Sequence, residues 1–282
     1  MLFRSHRHAR DYRQARRERQ KEIVKVALLQ YPIAWADKQT NLRLTEQRLA
    51  ALAHRADVAL LPEMFTTGFC TDRPDLAEPA NGETIQRLQH CADAYDLAIA
   101  GSFICIENGC LYNRGFFIRP KKKPVFIDKK HLYAHGGEAA FFSSGNDAPV
   151  MEYKGAKFRL LVCYDLRFPV WARNITGHDY DILLVVANWP QIRIQYWDAL
   201  LPARATENQC YICGVNCVGD DGLSLHYNGH SAAYDTLLRP IVHFEDDEEG
   251  TKIADFDIGK LHHYREVLPL WQDADKFQFV NW

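Results

Sequence analysis

Three kinds of polar residue stand next to apolar runs in this sequence, and together they would suit nucleophilic attack on a carbonyl carbon. Cys163 follows LLV in LLVCYDLRFP, Glu63 follows DVALLP, and Lys129 and Lys130 lie in PVFIDKKHLY. A thiol is a nucleophile, a carboxylate can act as its general base, and an ammonium can stabilise an oxyanion. Neighbouring residues on a strand point to opposite faces, so the pattern alone leaves the choice between the two lysines open.

The segment around Cys163 predicts a sharp turn between a strand and a short helix. Such a turn would present the thiol and leave the backbone amide of Tyr164 to point at a developing oxyanion. A nearby ammonium would lower the pKa of the thiol from its usual value of about 8.5. Asp165 and Arg167 have opposite charges, and we expect them to tie down the turn through neighbouring backbone rather than to act as catalysts.

These residues must be positioned by an alternation of apolar strands and amphipathic helices that begins at residue 23. The pattern predicts strands at 23–31, 57–62, 97–106, 110–120, 123–133, 157–165, 181–190 and 209–219, with at least three more in 228–258. It predicts helices at 41–54, 82–96, 169–175 and 194–209. Some strands are joined by helices and others by turns such as ENG, so we expect one α/β domain with mixed sheets over residues 23–282.

Several longer segments give the chain a resemblance to a known family. They are LLPEMFTTGF, DKKHLY, CYDLRFP, VVANWP, ARATENQCYICGVNCVG and YNGHS. In this order they resemble the nitrilase, or carbon–nitrogen hydrolase, superfamily, and more narrowly its omega-amidase-like branch. The resemblance implies a triad of Glu63, Lys129 and Cys163, because the family's lysine stands two residues before a histidine, here His131. It also implies a second glutamate, Glu138 in HGGEAAFF, which helps to position substrate and water.

The same resemblance implies an architecture and an assembly. Members of the family fold as a four-layer αββα sandwich and dimerise by packing their outer helices, which extends the layers across a two-fold axis. Segments 169–178 and 194–209 would then lie at the dimer face. We therefore expect a homodimer or a higher homo-oligomer.

For the substrate, the resemblance implies the terminal amide of a short dicarboxylate or of its 2-oxo form, such as 2-oxoglutaramate. A small anionic substrate needs a cation at the far end of the pocket. Arg193 in NWPQIR is the first candidate, with Trp189 as an apolar wall and Asn188 beside it, and Arg173 is the alternative. The expected reaction releases ammonia and an acid through a thioester on Cys163, without a metal or cofactor.

Two other functions remain open. The same triad can act on another acyl group, such as an N-carbamoyl amide or a nitrile, although a nitrilase usually has Trp-Glu after the cysteine, where this chain has Tyr164 and Asp165. The fold could instead be a catalytically silent scaffold that binds partners through its helical layer. The joint presence of Glu63, Lys129 and Cys163 argues against a silent scaffold.

Composition and charge bear on compartment and partners. The 282 residues have a net charge of −2, but residues 1–22 contain eight Lys and Arg against three acids, so this basic leader has +5 and the remainder −7. An acidic body argues against nucleic-acid binding. No apolar run is long enough to span a membrane and no apolar signal region is present, so we expect a cytoplasmic protein with reduced cysteines. Cys210 and Cys213 are not expected to share a metal, because on a strand they point to opposite faces.

Overall fold

The structure is a computed structural model that describes residues 22–175 and 179–277. The basic leader, apart from residue 22, lies outside the described residues. So do residues 176–178 of the segment expected at a dimer face. Within the described ranges, no helix has both the length and the apolarity that crossing a membrane requires.

The first of two large sheets has the strand order β14-β1-β2-β3-β4-β5. Its strands are β1 (Ile23–Gln30), β2 (Val58–Leu60), β3 (Ala98–Glu107), β4 (Cys110–Ile118), β5 (Val125–Asp128) and β14 (Gly250–Asp257). β1, β2 and β3 are parallel, and the remaining pairs are antiparallel. β3 and β4 form the hairpin expected around the ENG turn.

The second large sheet has the order β13-β12-β9-β8-β7-β6. Its strands are β6 (Met151–Tyr153), β7 (Ala156–Val162), β8 (Ile182–Val186), β9 (Tyr211–Val215), β12 (Ala232–Tyr234) and β13 (Pro240–His243). β7, β8 and β9 are parallel, and the outer pairs are antiparallel. β10 (Val218–Asp220) and β11 (His226–Asn228) form a separate hairpin.

The helices are α1 (Lys38–Ala50), α2 (Glu83–Tyr95), α5 (Ile194–Glu207) and α6 (Ile258–Val267), with two short ones, α3 (Glu138–Phe141) and α4 (Pro169–Ala172). Asp37 caps the N-terminus of α1, and its side chain accepts a hydrogen bond from Thr40 N. α6 begins in the same way at Asp257. Such caps satisfy backbone N–H groups that have no partner inside the helix.

The main core lies between the two sheets. Leu28 and Leu60 of the first sheet and Leu160 of the second are at most 1% exposed, and the rings of Phe117 and Phe158 lie 5.3 Å apart across the interface. A second core lies between the first sheet and helices α1 and α2, and α5 packs on the second sheet. The layers are therefore helices, sheet, sheet and helices, which confirms the expected α/β sandwich with mixed sheets.

Several strands end earlier than the sequence pattern predicts, because the chain turns where polar side chains enter the interior. β5 ends at Asp128 instead of continuing to residue 133, so Lys129 directly follows the strand. β7 ends at Val162, and residues 163–167 form a 3-10 turn. The single strand expected over 209–219 is divided into β9 and β10, because Asn216 bonds across to the Ser231 hydroxyl at this point.

Candidate active site

Three strands of the two sheets and one short helix meet around one buried group of charges. Glu63 follows β2, Lys129 follows β5, Cys163 follows β7, and Glu138 is the first residue of α3. Glu63, Lys129 and Glu138 have no exposed surface, and Cys163 is 9% exposed. The carboxyl ends of β2, β7 and β8 lie at this edge, which is where α/β folds place reacting groups.

Lys129 lies between the two carboxylates. Its Nζ is 2.9 Å from Glu63 Oε1 and 2.8 Å from Glu138 Oε2. Burial alone would lower the pKa of this ammonium, but the charges of Glu138 and Glu63 outweigh burial and raise it. Glu138 Oε1 also lies 3.1 Å from Nζ. An ammonium has three N–H donors, so one donor for each carboxylate leaves a third that can be directed at another acceptor. Lys130, by contrast, points away and donates to Asn146 Oδ1.

Cys163 occupies a strained position. Its φ is 48°, in the left-handed region that residues with a side chain rarely adopt, and such strain is typical of a nucleophile held on a sharp turn. Glu63 lies near enough to the thiol to affect its pKa. Burial and the charge of Glu63 raise the thiol pKa well above its ordinary value, and Lys129 opposes them only in part. The expectation of a lowered pKa is therefore wrong, because burial and the charge of Glu63 outweigh the lowering effect of the ammonium.

Asn113, in β4, was missed in the sequence analysis although it touches both carboxylates. Its Nδ2 donates to Glu63 Oε1 at 2.7 Å and to Glu138 Oε1 at 2.9 Å. The backbone of Asn188 donates to Glu63 Oε2 at 2.9 Å. The only signal in the sequence was an asparagine within a predicted strand, and such residues are too common to identify a site.

Two amide oxygens at this site lack a partner among the described residues. They are Oδ1 of Asn113 and Oδ1 of Asn188, whose Nδ2 donates to the carbonyl of Glu63. Leaving a buried acceptor unpaired costs about 1–3 kcal/mol. Asn113 donates to the carboxylate of Glu63 and Asn188 to its carbonyl, and each amide oxygen is left without a partner among the described residues.

The turn after Cys163 is held by Asp165. Its carboxylate accepts from Val162 N at 3.3 Å, and from His131 N at 2.9 Å. It also lies 2.8 Å from His131 Nδ1. Asp165 thus links the Cys163 turn to the segment that follows Lys129, in agreement with the supporting position expected for it.

Arg167 does not make the contacts with neighbouring backbone that were expected for it. No hydrogen bond or salt bridge joins its guanidinium to any described residue, and its Cζ lies 4.9 Å from the ring centre of Trp189 and 4.4 Å from that of Tyr196. The Asp165 carboxylate already accepts hydrogen bonds from the backbone N–H groups of Val162 and His131, and Arg167 does not bind to it. Arg167 instead forms part of the pocket wall.

A pocket of about 140 Å³ opens above the thiol. Its lining includes Lys129, Cys163, Tyr164, Arg167, Trp189 and Arg193. Tyr164 is the second residue of the 3-10 turn, where backbone N–H groups have no partner within the turn. The pocket thus combines a nucleophile, an ammonium and two guanidinium groups.

Of the arginines proposed for the far end of the pocket, the structure places Arg193 there and Arg173 elsewhere. Arg193 has no anionic partner among the described residues, and its Cζ lies 5.2 Å from the ring centre of Tyr133. Its carbonyl accepts from Trp189 Nε1 at 2.8 Å, which fixes the indole wall. Arg173 is outside the pocket, and it donates to the carbonyl of Glu207 and approaches its carboxylate.

No group of three or more His, Cys, Asp or Glu in residues 22–175 and 179–277 is arranged to hold a metal ion. All eight cysteines are free thiols, and Cys210, Cys213 and Cys217 are buried. Burial raises the pKa of the Cys210 thiol to about 12, and it raises those of Cys213 and Cys217 well above the ordinary value. These three cysteines therefore behave as small apolar residues.

Comparisons with known proteins give a family and several named relatives. The model of the family described as "Carbon-nitrogen hydrolase" matches residues 25–266. The chain is 40% identical over 254 residues to "Omega-amidase YafV" of Yersinia enterocolitica, covering 90% of this chain and 98% of that protein. It is 31% identical over 255 residues to "2-oxoglutaramate amidase" of Bacillus subtilis, covering 89% and 97%.

Solved structures show the same fold. XC1258 from Xanthomonas campestris, described as a CN-hydrolase superfamily protein, superposes with a TM-score of 0.89 at 34% identity and covers 92% of this chain and 99% of its own. An amidase from Nesterenkonia sp. superposes with a TM-score of 0.76 at 25% identity, covering 88% and 95%. The chain therefore belongs to the carbon–nitrogen hydrolase (nitrilase) family, in its omega-amidase-like branch, and is an enzyme of that class.

Proposed function

We propose that this enzyme hydrolyses the terminal amide of a short dicarboxylate monoamide, such as 2-oxoglutaramate, to the acid and ammonia. The observation that carries the proposal is the position of Cys163, which sits on a strained turn within reach of Glu63 and below a pocket with two unpaired guanidinium groups. The names of the relatives point to the same reaction. The remaining steps follow from the contacts of these side chains.

Acylation begins with the neutral thiol, because its pKa is raised. Glu63 takes the thiol proton as the sulfur attacks the amide carbon, and the carbonyl π electrons move onto oxygen. The third N–H of Lys129 and the amide of Tyr164 then stabilise the oxyanion. Negative charge is thus transferred to a place where donors are available.

Deacylation completes the cycle. The oxyanion collapses, the C–N bond breaks, and Glu63 returns its proton to the nitrogen, which leaves as ammonia while Cys163 remains as a thioester. Water then loses a proton to Glu63 and attacks the thioester, with Glu138 assisting through its contact with Lys129. The C–S bond breaks, the thiol recovers the proton, and the acid departs.

The pocket favours a small acidic substrate. Arg193 and Arg167 both line it without an anionic partner among the described residues, and a charge-assisted hydrogen bond to a carboxylate would satisfy either of them. A nitrile or a neutral amide would leave both guanidinium groups unused. An N-carbamoyl acid has a carboxylate and therefore stays as the alternative substrate class.

We also propose a cytoplasmic homodimer, with residues 1–22 as a basic extension of the catalytic domain. Eight free thiols suit a reducing compartment. Val170 of α4 and Tyr196 of α5 are 49% and 54% exposed, which suits an apolar face that a second copy would cover.

A panel of compounds read by ammonia release tests the function. It should contain 2-oxoglutaramate, succinamate, a neutral amide of equal length, an N-carbamoyl amino acid and a nitrile. The proposal expects 2-oxoglutaramate or succinamate to have the highest kcat/KM, and Cys163→Ala to release no ammonia from either. A preference for the carbamoyl compound or the nitrile would refute the substrate class. No ammonia from any of them would favour the silent scaffold.

A further inference from the structure

We propose that Asn113 is a positioning residue that holds the carboxylates of Glu63 and Glu138 in place around Lys129. The inference deepens the function proposed above and rests on it, although part of its test needs no substrate. Neither the family resemblance nor the relatives' names assign a role to this residue.

The contacts of Asn113 involve all three charged residues. Its side chain has no exposed surface, and Nδ2 lies 2.7 Å from Glu63 Oε1 and 2.9 Å from Glu138 Oε1. An amide nitrogen has two hydrogens, so each carboxylate receives one. The carbonyl of Asn113 accepts from Lys129 N at 3.0 Å. One residue of β4 thus fixes the positions of all three charged residues.

The orientation of the amide follows from its surroundings. A flipped amide would place Oδ1 against two carboxylate oxygens, which is repulsive, so the nitrogen must face them. In this orientation Oδ1 has no partner among the described residues. Buried polar atoms are nearly always paired, and exceptions concentrate at functional sites. The orientation of the amide is therefore set by its two donor contacts to Glu63 and Glu138.

The need for a neutral donor follows from the charges. Two carboxylates share donors with one ammonium, so the group has a net charge of −1. Like charges at this separation favour uptake of a proton by one of the pair. The Asn113 amide stabilises both ionised carboxylates without adding charge. Because Glu63 can accept the Cys163 proton only when ionised, Asn113 would preserve activity toward lower pH.

Two variants test this role. Asn113→Asp keeps the shape but replaces the donor by a third carboxylate, and Asn113→Leu removes the amide without adding charge. In both we expect kcat to fall on the order of 100-fold, the scale of one general-base contribution, while KM changes by less than about threefold. The acid limb of the kcat/KM profile should move to higher pH by roughly one unit or more.

Asn228 provides the matched control. It is 1% exposed, its Oδ1 also lacks a partner among the described residues, and its Nδ2 donates to Asp246, outside the catalytic group. Asn228→Asp should leave the pH profile unchanged. If the Asn113 variants keep the parent profile, or if Asn228→Asp shifts it equally, Asn113 has only a structural role and the inference is overturned.

The rate of Cys163 alkylation by iodoacetamide, measured against pH, gives a readout without substrate. The Asn113 variants should displace its acid limb in the same direction as that of kcat/KM. If the parent hydrolyses no amide but this displacement is present, the proposed function fails and the role of Asn113 stands. If amides are hydrolysed and neither profile moves, the role of Asn113 fails alone.

Discussion

Lys129 has to serve three acceptors with three N–H donors. Glu63 and Glu138 occupy two of them, which leaves one for the oxyanion. The charge of the ammonium therefore does not activate the thiol in advance. The ammonium stabilises the negative charge that develops on the substrate oxygen. This interaction is stronger in the transition state than in the ground state, so it lowers the reaction barrier.

The two adjacent lysines should differ sharply. We expect Lys129→Ala to lose about 100-fold or more in kcat, which is typical for one oxyanion donor. Lys130→Ala should be nearly neutral, because Lys130 donates to Asn146 on the other side of the backbone. Steady-state kinetics on the same amide would compare them, and the reverse ranking would contradict the arrangement described for Lys129.

Arg193 should determine the preference for an acidic substrate. Arg193→Ala should raise KM for 2-oxoglutaramate by about 10- to 150-fold, or about 1.5–3 kcal/mol, the contribution of a charge-assisted hydrogen bond. Hydrolysis of a neutral amide of similar length should barely change. Arg193→Lys should restore only part of the loss, because an ammonium cannot make a two-pronged contact.

Arg167→Ala is the paired variant, since Arg167 lines the same pocket and is likewise without an anionic partner among the described residues. A larger and charge-selective effect of Arg167→Ala would identify it as the carboxylate's partner instead. Equal losses on charged and neutral amides would show that Arg193 only supports the Trp189 wall through its carbonyl.

The β10–β11 hairpin contributes Tyr227 to the pocket and is fastened by two histidines. His226 lies between Asp220 at 2.7 Å and Asp247 at 2.9 Å, and His230 between Asp198 at 3.0 Å and Asp246 at 2.9 Å. These bridges join the hairpin and the residues after it to residues 246–247 and to α5. The pocket wall therefore depends on charge pairs as well as on packing.

The bridges predict a pH-dependent stability. Hydrogen bonds with Asp220 and Asp247 raise the pKa of His226, and for His230 the two aspartates outweigh the lowering effect of burial. A raised pKa in the folded state means that this stabilisation is complete below the ordinary histidine value of about 6.5. It is lost as pH rises through the raised values.

Thermal melting measures this contribution. Between pH 6 and pH 8 the Tm of the parent should fall more than that of the double variant His226→Gln with His230→Gln. His54→Gln is the matched control, because His54 is exposed and lies in no salt bridge with the described residues. Identical pH slopes in the parent and the double variant would show that the bridges contribute nothing.

The sequence was informative about the ends of strands and uninformative about contacts between them. The apolar runs before Glu63 and Cys163 placed both residues at strand ends. The period of two put Lys129 and Lys130 on opposite faces, and only the family resemblance selected Lys129. The role proposed for Asn113 requires β4 to lie beside Glu63 and Glu138. No local sequence pattern encodes that arrangement. The position of Arg173 outside the pocket was not encoded locally either, because its partner Glu207 lies on another element.

For the whole molecule, the two packed sheets explain why the charged group stays rigid. Each sheet delivers residues from strand ends that are anchored in the core, so the positions of Glu63 and Cys163 depend on long-range packing rather than on loops. The extent of the α/β sandwich could be predicted from the alternation of strands and helices. The early end of β5 could not, since it depends on where Lys129 meets Glu138.

The proposed homodimer gives a prediction about assembly. Val170→Asp, on the exposed face of α4, should shift the enzyme toward monomer in sedimentation velocity, because a charge would be buried in an apolar interface. Ile241→Asp, on the edge strand β13 and 36% exposed, is the control and should not change the sedimentation coefficient. A parent that sediments as a monomer would refute the proposal.

Mass spectrometry can test directly whether Cys163 attacks the amide and becomes acylated. The enzyme is mixed with 2-oxoglutaramate, quenched in acid within milliseconds to seconds, and digested at low pH. We expect an adduct of the acyl group on the peptide that contains Cys163, accompanied by ammonia release, and neither product with Cys163→Ala. An adduct on another residue, or a Cys163→Ala enzyme that keeps activity within about tenfold of the parent, would contradict it.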